Sequence, residues 1–146
     1  MQIRTLLPTV RRRLHAIDIT ATLLQAARLL EGERDMLVVC HADGRMAGVL
    51  TKTDVVRRTG RCCGANCTAP VIEAMTHEVA AVTADDRLQD VWEVMKARGF
   101  KNIPVLDPDG RPLGVLNARD ALQGLLQEVR EEENLLYEYA MSIGYR

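Results

Sequence analysis

Gly114-Val115-Leu116-Asn117-Ala118-Arg119-Asp120 is a second copy of an earlier stretch, Gly48-Val49-Leu50-Thr51-Lys52-Thr53-Asp54. Each copy opens on a short apolar run that reads as a buried strand. A polar residue follows (Thr51 or Asn117), and an aspartate sits three places later at the start of a helical pattern. Asp43-Gly44-Arg45 leads into the first copy and Asp109-Gly110-Arg111 into the second, at the same spacing.

Working outward, the same order of elements surrounds both copies. In the first pass, Leu14–Ile19 alternates as a short strand, and Thr20 or Thr22 caps a helix over 22–33. Met36–Cys40 is a buried strand, Ala42-Asp43-Gly44 a hairpin turn, Met46–Leu50 the returning strand, and Thr53–Arg58 a short helix. In the second pass, Val71–Met75 is a short helix, Val79–Val82 a strand, and Asp85 an N-cap for a helix over Arg87–Arg98 that Gly99 terminates. Asn102–Leu106 and Leu113–Leu116 are paired strands around the turn Asp107-Pro108-Asp109-Gly110, and Arg119 onward is helix to about Ser142. Leu23 aligns with Leu88 at an offset of 65, and Asp54 with Asp120 at 66. The fold class is therefore α+β, a tandem of strand–helix–strand–strand–helix repeats that bury their sheets against each other. The expected divisions are repeat 1 over 1–60, a cysteine-containing linker over 61–70, repeat 2 over 71–128, and a helical extension over 129–146.

The 146 residues carry a net charge of −1 and few aromatics (one Trp, one Phe, three Tyr). Near-neutral charge and scarce stacking platforms argue against a nucleic-acid partner. Arg4, Pro8 and Arg11-Arg12-Arg13 interrupt the N-terminal apolar residues, so no signal peptide is expected. No run approaches the roughly 20 apolar residues of a membrane span. These features point to a soluble cytoplasmic protein. The arginine triplet reads either as a solvated surface or as part of an anion-binding rim. His15 and His41 read as surface residues, and Cys40 as a small core hydrophobe.

The tandem unit resembles the CBS domain, in the paired arrangement called a Bateman module, over about residues 3–128. The resemblance rests on Gly48–Asp54 and Gly114–Asp120, on the apolar-Pro-Val strand Ile103-Pro104-Val105, and on Met75-Thr76 at the opening of the second repeat. It implies a pseudo-two-fold pair with two clefts, no catalytic residues, and a regulatory ligand rather than a required cofactor. That ligand would be AMP, ADP, ATP, NAD or S-adenosylmethionine. Asp54 and Asp120 would accept from a ribose diol, and Thr51 would reach ribose or phosphate. Leu37, Val39, Ile103, Pro104 and Val105 would line an adenine slot, with Thr83 and Lys101 as further contacts. Arg119 would pair with phosphate beside Asn117. The plain alternative for either aspartate is a helix-capping role. The second cleft, around Asp120, is expected to be the better site, because Asp18 replaces Thr83 in the first. A homodimer and an unidentified regulated protein complete the expectation, with the end of the last helix meeting another chain.

Cys62-Cys63-Gly64-Ala65-Asn66-Cys67 departs from the family pattern. Three close thiols suit a Zn²⁺ or Fe–S site, a redox disulfide, or inert loop cysteines. A zinc site would need a fourth ligand, from His77, His41 or a second chain. The competing function is thus a metal- or redox-responsive interaction protein with the paired repeats as its scaffold.

Overall fold

The computed structural model describes residues 1–61 and 68–144. A 3-10 turn, Ile3–Leu6, leads into α1 (Leu7–Arg12), which is followed by β1 (Ala16–Asp18), α2 (Leu23–Leu29), β2 (Met36–Cys40), β3 (Met46–Thr51) and α3 (Lys52–Thr59). The second half has a 3-10 turn at Val71–Glu73, then β4 (Val82–Thr83), α4 (Leu88–Arg98), β5 (Asn102–Leu106), β6 (Pro112–Asn117) and α5 (Ala118–Gly144).

The expected α+β tandem is present. The described residues form two three-stranded sheets, β1-β2-β3 and β4-β5-β6, each with a parallel outer pair and an antiparallel hairpin. Even the irregularities repeat: the hairpins are bulged at Val39/Cys40 and at Val105/Leu106. Gly44 and Gly110 take φ of 90° and 88° at the two turns, which side chains disfavour. The two hairpin tips touch, with Met46 N–H donating to Gly110 O at 2.9 Å and Arg111 Nε to Asp43 O at 3.2 Å.

Some boundaries moved. α2 stops at Leu29 instead of reaching Glu33, and Gly32 turns the chain at φ 78°. Its cap is Thr22, whose hydroxyl accepts from Gln25 N–H in a capping box. Asp85 does not cap α4. Arg87 holds the N-cap position without a side-chain bond, and Asp85 instead pairs with Arg4. β4 is confined to Val82–Thr83 because Pro104 lies opposite. In the first repeat Val38 N–H donates to His15 O at 2.8 Å, and proline at the matching place has no N–H to give.

The repeats exchange their leading segments. Ile3 and Val10 are buried with Leu88, Val91, Met95, Ile103 and Leu116, all from the second repeat. Val71 and Met75 are buried with Leu23, Leu30, Leu37 and Leu50 from the first. Backbone bonds fix each crossing: Ile3 N–H to Asp86 O and Leu88 N–H to Met1 O on one side, Val71 N–H to Ala21 O and Leu23 N–H to Ala69 O on the other. The crossings pass directly over the repeat-motif glycines. A Cβ on Gly48 would sit 2.4 Å from Thr76 O, and one on Gly114 would sit 2.5 Å from Val10 C and O. Glycine is required at both because backbone lies against it.

The tail of α5 runs beyond this double core. Leu126, Val129, Leu135, Leu136, Tyr139 and Ile143 are exposed on it, while near its middle Glu128 meets the N-terminal amine at 2.9 Å. No helix among the described residues is long and apolar enough to cross a membrane.

Gly114→Ala is expected to lower stability by about 2–3 kcal/mol in urea unfolding, because a carbonyl backbone must move to admit the methyl. Gly124→Ala serves as the contrast. Its Cβ would meet only the side-chain ends of Leu88 and Leu6, and the helix-propensity gain of about 1 kcal/mol offsets the crowding. A net change below about 1 kcal/mol is expected there; equal losses at both positions would refute the crossing constraint.

Candidate functional site

At the end of β6 the backbone passes into α5, and Asn117 caps the junction. Its Oδ1 accepts from Arg119 N–H at 2.9 Å, and its Nδ2 donates to Asn102 Oδ1 at 3.1 Å across the strand pair. One turn on, Asp120 is 9% exposed. Both its oxygens are taken by Arg13: Nε donates to Oδ2, and Nη2 to Oδ1 at 3.1 Å. Arg13 is the C-cap residue of α1, in the leading segment of the other repeat. The exchange of segments is therefore what brings it there. The hydrogen bond to Asp120 raises the Arg13 pKa, desolvation opposes this, and the Asp120 charge adds to it.

Arg13 also lines a cleft of about 260 Å³ between the repeats, with Arg12, His15, Glu33, Arg34, Asp35, Met36, Asn102, Val115 and Asn117. The volume lies near the lower end of the range for small-molecule pockets. Arg12 and Arg34 stand there with Glu33 and Asp35, while Arg13 is paired with Asp120, so the cleft offers an anion planar guanidinium donors rather than an excess of positive charge. Burial, then the Arg34 charge, lowers the His15 pKa. Protonating His15 thus works against the fold, and stability declines as pH falls through the ordinary histidine range.

The pseudo-symmetric cleft, about 370 Å³, gathers Thr51, Lys52 and Thr53 with Met36, Gly99, Phe100, Lys101 and Asn102. Here the same motif takes its capping form. Thr51 Oγ1 accepts from Asp54 N–H at 3.3 Å, and Asp54 Oδ2 accepts from Thr51 N–H at 3.0 Å. In sequence, Arg13 corresponds to Glu78 at the 65-residue offset of β1 and β4 and to Val79 at the 66-residue offset of the crossings, and neither is an arginine. The Asp54 carboxylate is met instead by Arg57 of its own helix, at 3.6 Å. Lys52 is held by Gly32 O at 2.6 Å and lies 3.8 Å from Asp35. Lys101 joins Thr51 on one wall-to-wall cleft although they belong to different repeats.

The other expected contacts lie elsewhere. Leu37 and Val39 are fully buried in the repeat 1 core, and Val105 is fully buried in the repeat 2 core. Ile103 is also core, and it floors a separate hollow of about 260 Å³ beside Ala80, Val82 and Val91 of β4 and α4. Pro104 is buried in β5 opposite Val115. Thr83 lies within β4 rather than past it, paired with Leu106 at the hairpin end of the sheet. That end is about 13 Å of strand away from Asn102. Arg119 is exposed, at the rim of the Asn117 junction. Cys62, Cys63 and Cys67 lie outside the described residues, among which no group of three or more His, Cys, Asp and Glu side chains is placed to hold a metal. Sequence reasoning read Arg11–Arg13 as a solvated surface or part of an anion-binding rim, and did not select Arg34, His15, Met36 or Asn102. Arg34 sits at the place of Phe100 in the second repeat. Only the repeat alignment would have drawn attention to it.

A symmetric pair of α+β repeats enclosing two inter-repeat clefts defines the class. The CBS domain model matches the chain twice, over 4–60 and 71–127, so the chain belongs to the CBS domain family as a tandem pair. It is 27% identical over 115 residues to an uncharacterized 17.7 kDa protein of Acidianus ambivalens, covering 78% of this chain and 68% of that one. It is 33% identical to arabinose 5-phosphate isomerase GutQ of Shigella flexneri over 73% of this chain, and spans only 33% of the isomerase. Among solved structures, the CBS pair of protein MJ0100 in complex with 5′-methylthioadenosine and S-adenosyl-L-methionine superposes with TM-score 0.71 at 16% identity, covering 88% of this chain and 97% of that one. The cytosolic domain of the Mg²⁺ channel MgtE in complex with ATP gives TM-score 0.64 at 26% identity, covering 76% and 44%.

Removing Arg13 strands a desolvated carboxylate, whereas removing Asp120 frees a half-exposed guanidinium to water. Arg13→Ala is therefore expected to destabilise the protein by about 1–2 kcal/mol in urea. Arg57→Ala, at the exposed partner of Asp54, is expected to cost less than about 0.5 kcal/mol. Equal costs would mean that the Arg13 pair is no more than an ordinary surface contact.

Proposed function

We propose that this CBS pair is a regulatory module that binds a phosphorylated adenosine compound in the cleft between Asp120 and the arginines of the other repeat. Arg12, Arg13 and Arg34 line one cleft, and Arg13 reaches from it to the Asp120 carboxylate; that arrangement carries this reading. A carboxylate serves a ribose diol, and the guanidiniums serve phosphate oxygens. The ATP held by the MgtE domain and the adenosyl ligands held by MJ0100 support the ligand class. S-adenosylmethionine ranks lower here than AMP, ADP or ATP, because it carries no phosphate for the guanidiniums of Arg12, Arg13 and Arg34 to hold. Ligand binding acts on a partner only if the two arrangements of the repeats differ in affinity for it. Exposed apolar residues along α5, including Leu126 and Val129, support pairing with a second copy as the readout.

Thermal melting tests the ligand. At a hundredfold excess over Kd, ADP or ATP is expected to raise Tm by about 5–10 °C, the equivalent of about 2.7 kcal/mol. If no adenine compound raises Tm at millimolar concentration, the reading fails.

His15 supplies a second test. Its proton is disfavoured in the free cleft, and a bound phosphate would reverse that. Binding thus takes up a proton, so ADP affinity should increase as pH falls from about 7.5 to 6. Phosphate protonation also contributes over this range, so the comparison is with His15→Ala, whose pH dependence should be shallower. Parallel pH profiles for the two proteins would remove His15 from the site.

A further inference from the structure

Resting on the nucleotide reading, we propose that Arg13 is a built-in competitor for the Asp120 carboxylate, so that the cleft admits adenosine efficiently only when it carries a phosphate.

A ribose diol would donate to the same two oxygens that Arg13 already occupies as a two-pronged donor. One of the two partners must yield. Asp120 is fixed in the first turn of a 27-residue helix, with its side chain 10% exposed. Arg13 is 41% exposed and sits at the end of a short helix, so the arginine is the partner that moves. Freed from Asp120, its guanidinium turns to water or toward Arg12 and Arg34, in either case without the two-pronged pair it gave up. The acids there are poor substitutes. Asp35 is 62% exposed and already near Lys52, and Glu33 is exposed on the rim.

A bare nucleoside therefore breaks the Arg13–Asp120 pair and offers the guanidinium no new acceptor. A nucleotide provides the missing acceptor, because its phosphate takes Arg13 as its ribose takes Asp120. The exchange is compensated only when both parts of the ligand arrive together.

The other repeat shows that this is a property of one cleft and not of the motif. Asp54 has the same place in the same seven-residue motif, but Glu78 and Val79 stand at the Arg13 position and Asp54 is engaged by its own helix. Among the described residues, no arginine of the other repeat pairs with it. The competition thus belongs to the leading segment of the first repeat, and it predicts discrimination by phosphate in the Asp120 cleft alone.

Isothermal titration of adenosine and ADP into the full chain, as wild type, Arg13→Ala and Arg12→Ala, tests the proposal. Arg13→Ala is expected to bind adenosine about fivefold to tenfold more tightly and ADP about tenfold more weakly, effects of the size of one ordinary hydrogen bond. Arg12 lines the cleft without touching Asp120, so Arg12→Ala should weaken ADP and leave adenosine unchanged. Should Arg13→Ala fail to fold by circular dichroism, Arg13→Lys replaces it. Lysine keeps the charge but loses the fork, so adenosine should tighten while ADP stays within about threefold. Adenosine affinity that is unchanged or weakened in the Arg13 variant overturns the competition even where ADP binds. Wild-type protein that binds neither ligand overturns the nucleotide reading itself, which is a separate and recognisable result.

Discussion

Everything in this fold depends on two places where one backbone crosses another with no room for a side chain. Val10 passes over Gly114 and Thr76 over Gly48. These crossings are how each repeat completes the hydrophobic core of the other. A three-stranded sheet with two short helices has too little apolar surface to be stable alone, and exchange of the leading segments solves that problem symmetrically. It also commits the halves to one another. Ile3 and Val71, both fully buried, do the same job in opposite directions.

The clefts are by-products of that arrangement, and their difference is a matter of what the crossing segment carries. On the Asp120 side α1 ends in arginines. On the Asp54 side the matching positions fall within His77-Glu78-Val79. The shared motif consequently settles into two electrostatic states. Asp54 turns inward to cap its helix, satisfying Thr51 N–H. Asp120 turns toward a cation from 107 residues earlier in the chain. Both junction residues cap their helices, Thr51 through Asp54 N–H and Asn117 through Arg119 N–H, and only the first aspartate returns a bond to its junction residue.

Much of this was legible in advance. The strands Met36–Cys40 and Asn102–Leu106 end where the apolar runs end, since buried strands are short continuous apolar blocks. The internal repeat identified the fold because two weak motifs in register reinforce one another. Local signals failed where a tertiary contact outbid them. Asp85 is a good N-cap by type, yet Arg4 of the exchanged segment claims it. Helical periodicity ran past Leu29, and Gly32 alone marked the stop. Pro104 was visible, but its effect on β4 required knowing which strand lies beside it. Nor could sequence pair Arg13 with Asp120. Nothing in the run Arg11-Arg12-Arg13 distinguishes a solvated arginine from a buried contact until the crossing is in place.

The join between the hairpin tips gives this body a mechanical property. Met46 is bonded to Gly110 at one end of the paired sheets, while Met36, Asn102 and Asn117 line the cleft at the other. The tips thus form a fulcrum, with the five-residue strands β2 and β5 as arms about 17 Å long. A rocking of about 5° between the repeats around that fulcrum moves the cleft lips by ~1.5 Å over such an arm. That is enough to make or break a hydrogen bond, so any such rotation that the exchanged segments allowed would register first at the cleft lips and hardly at all where the tips are joined.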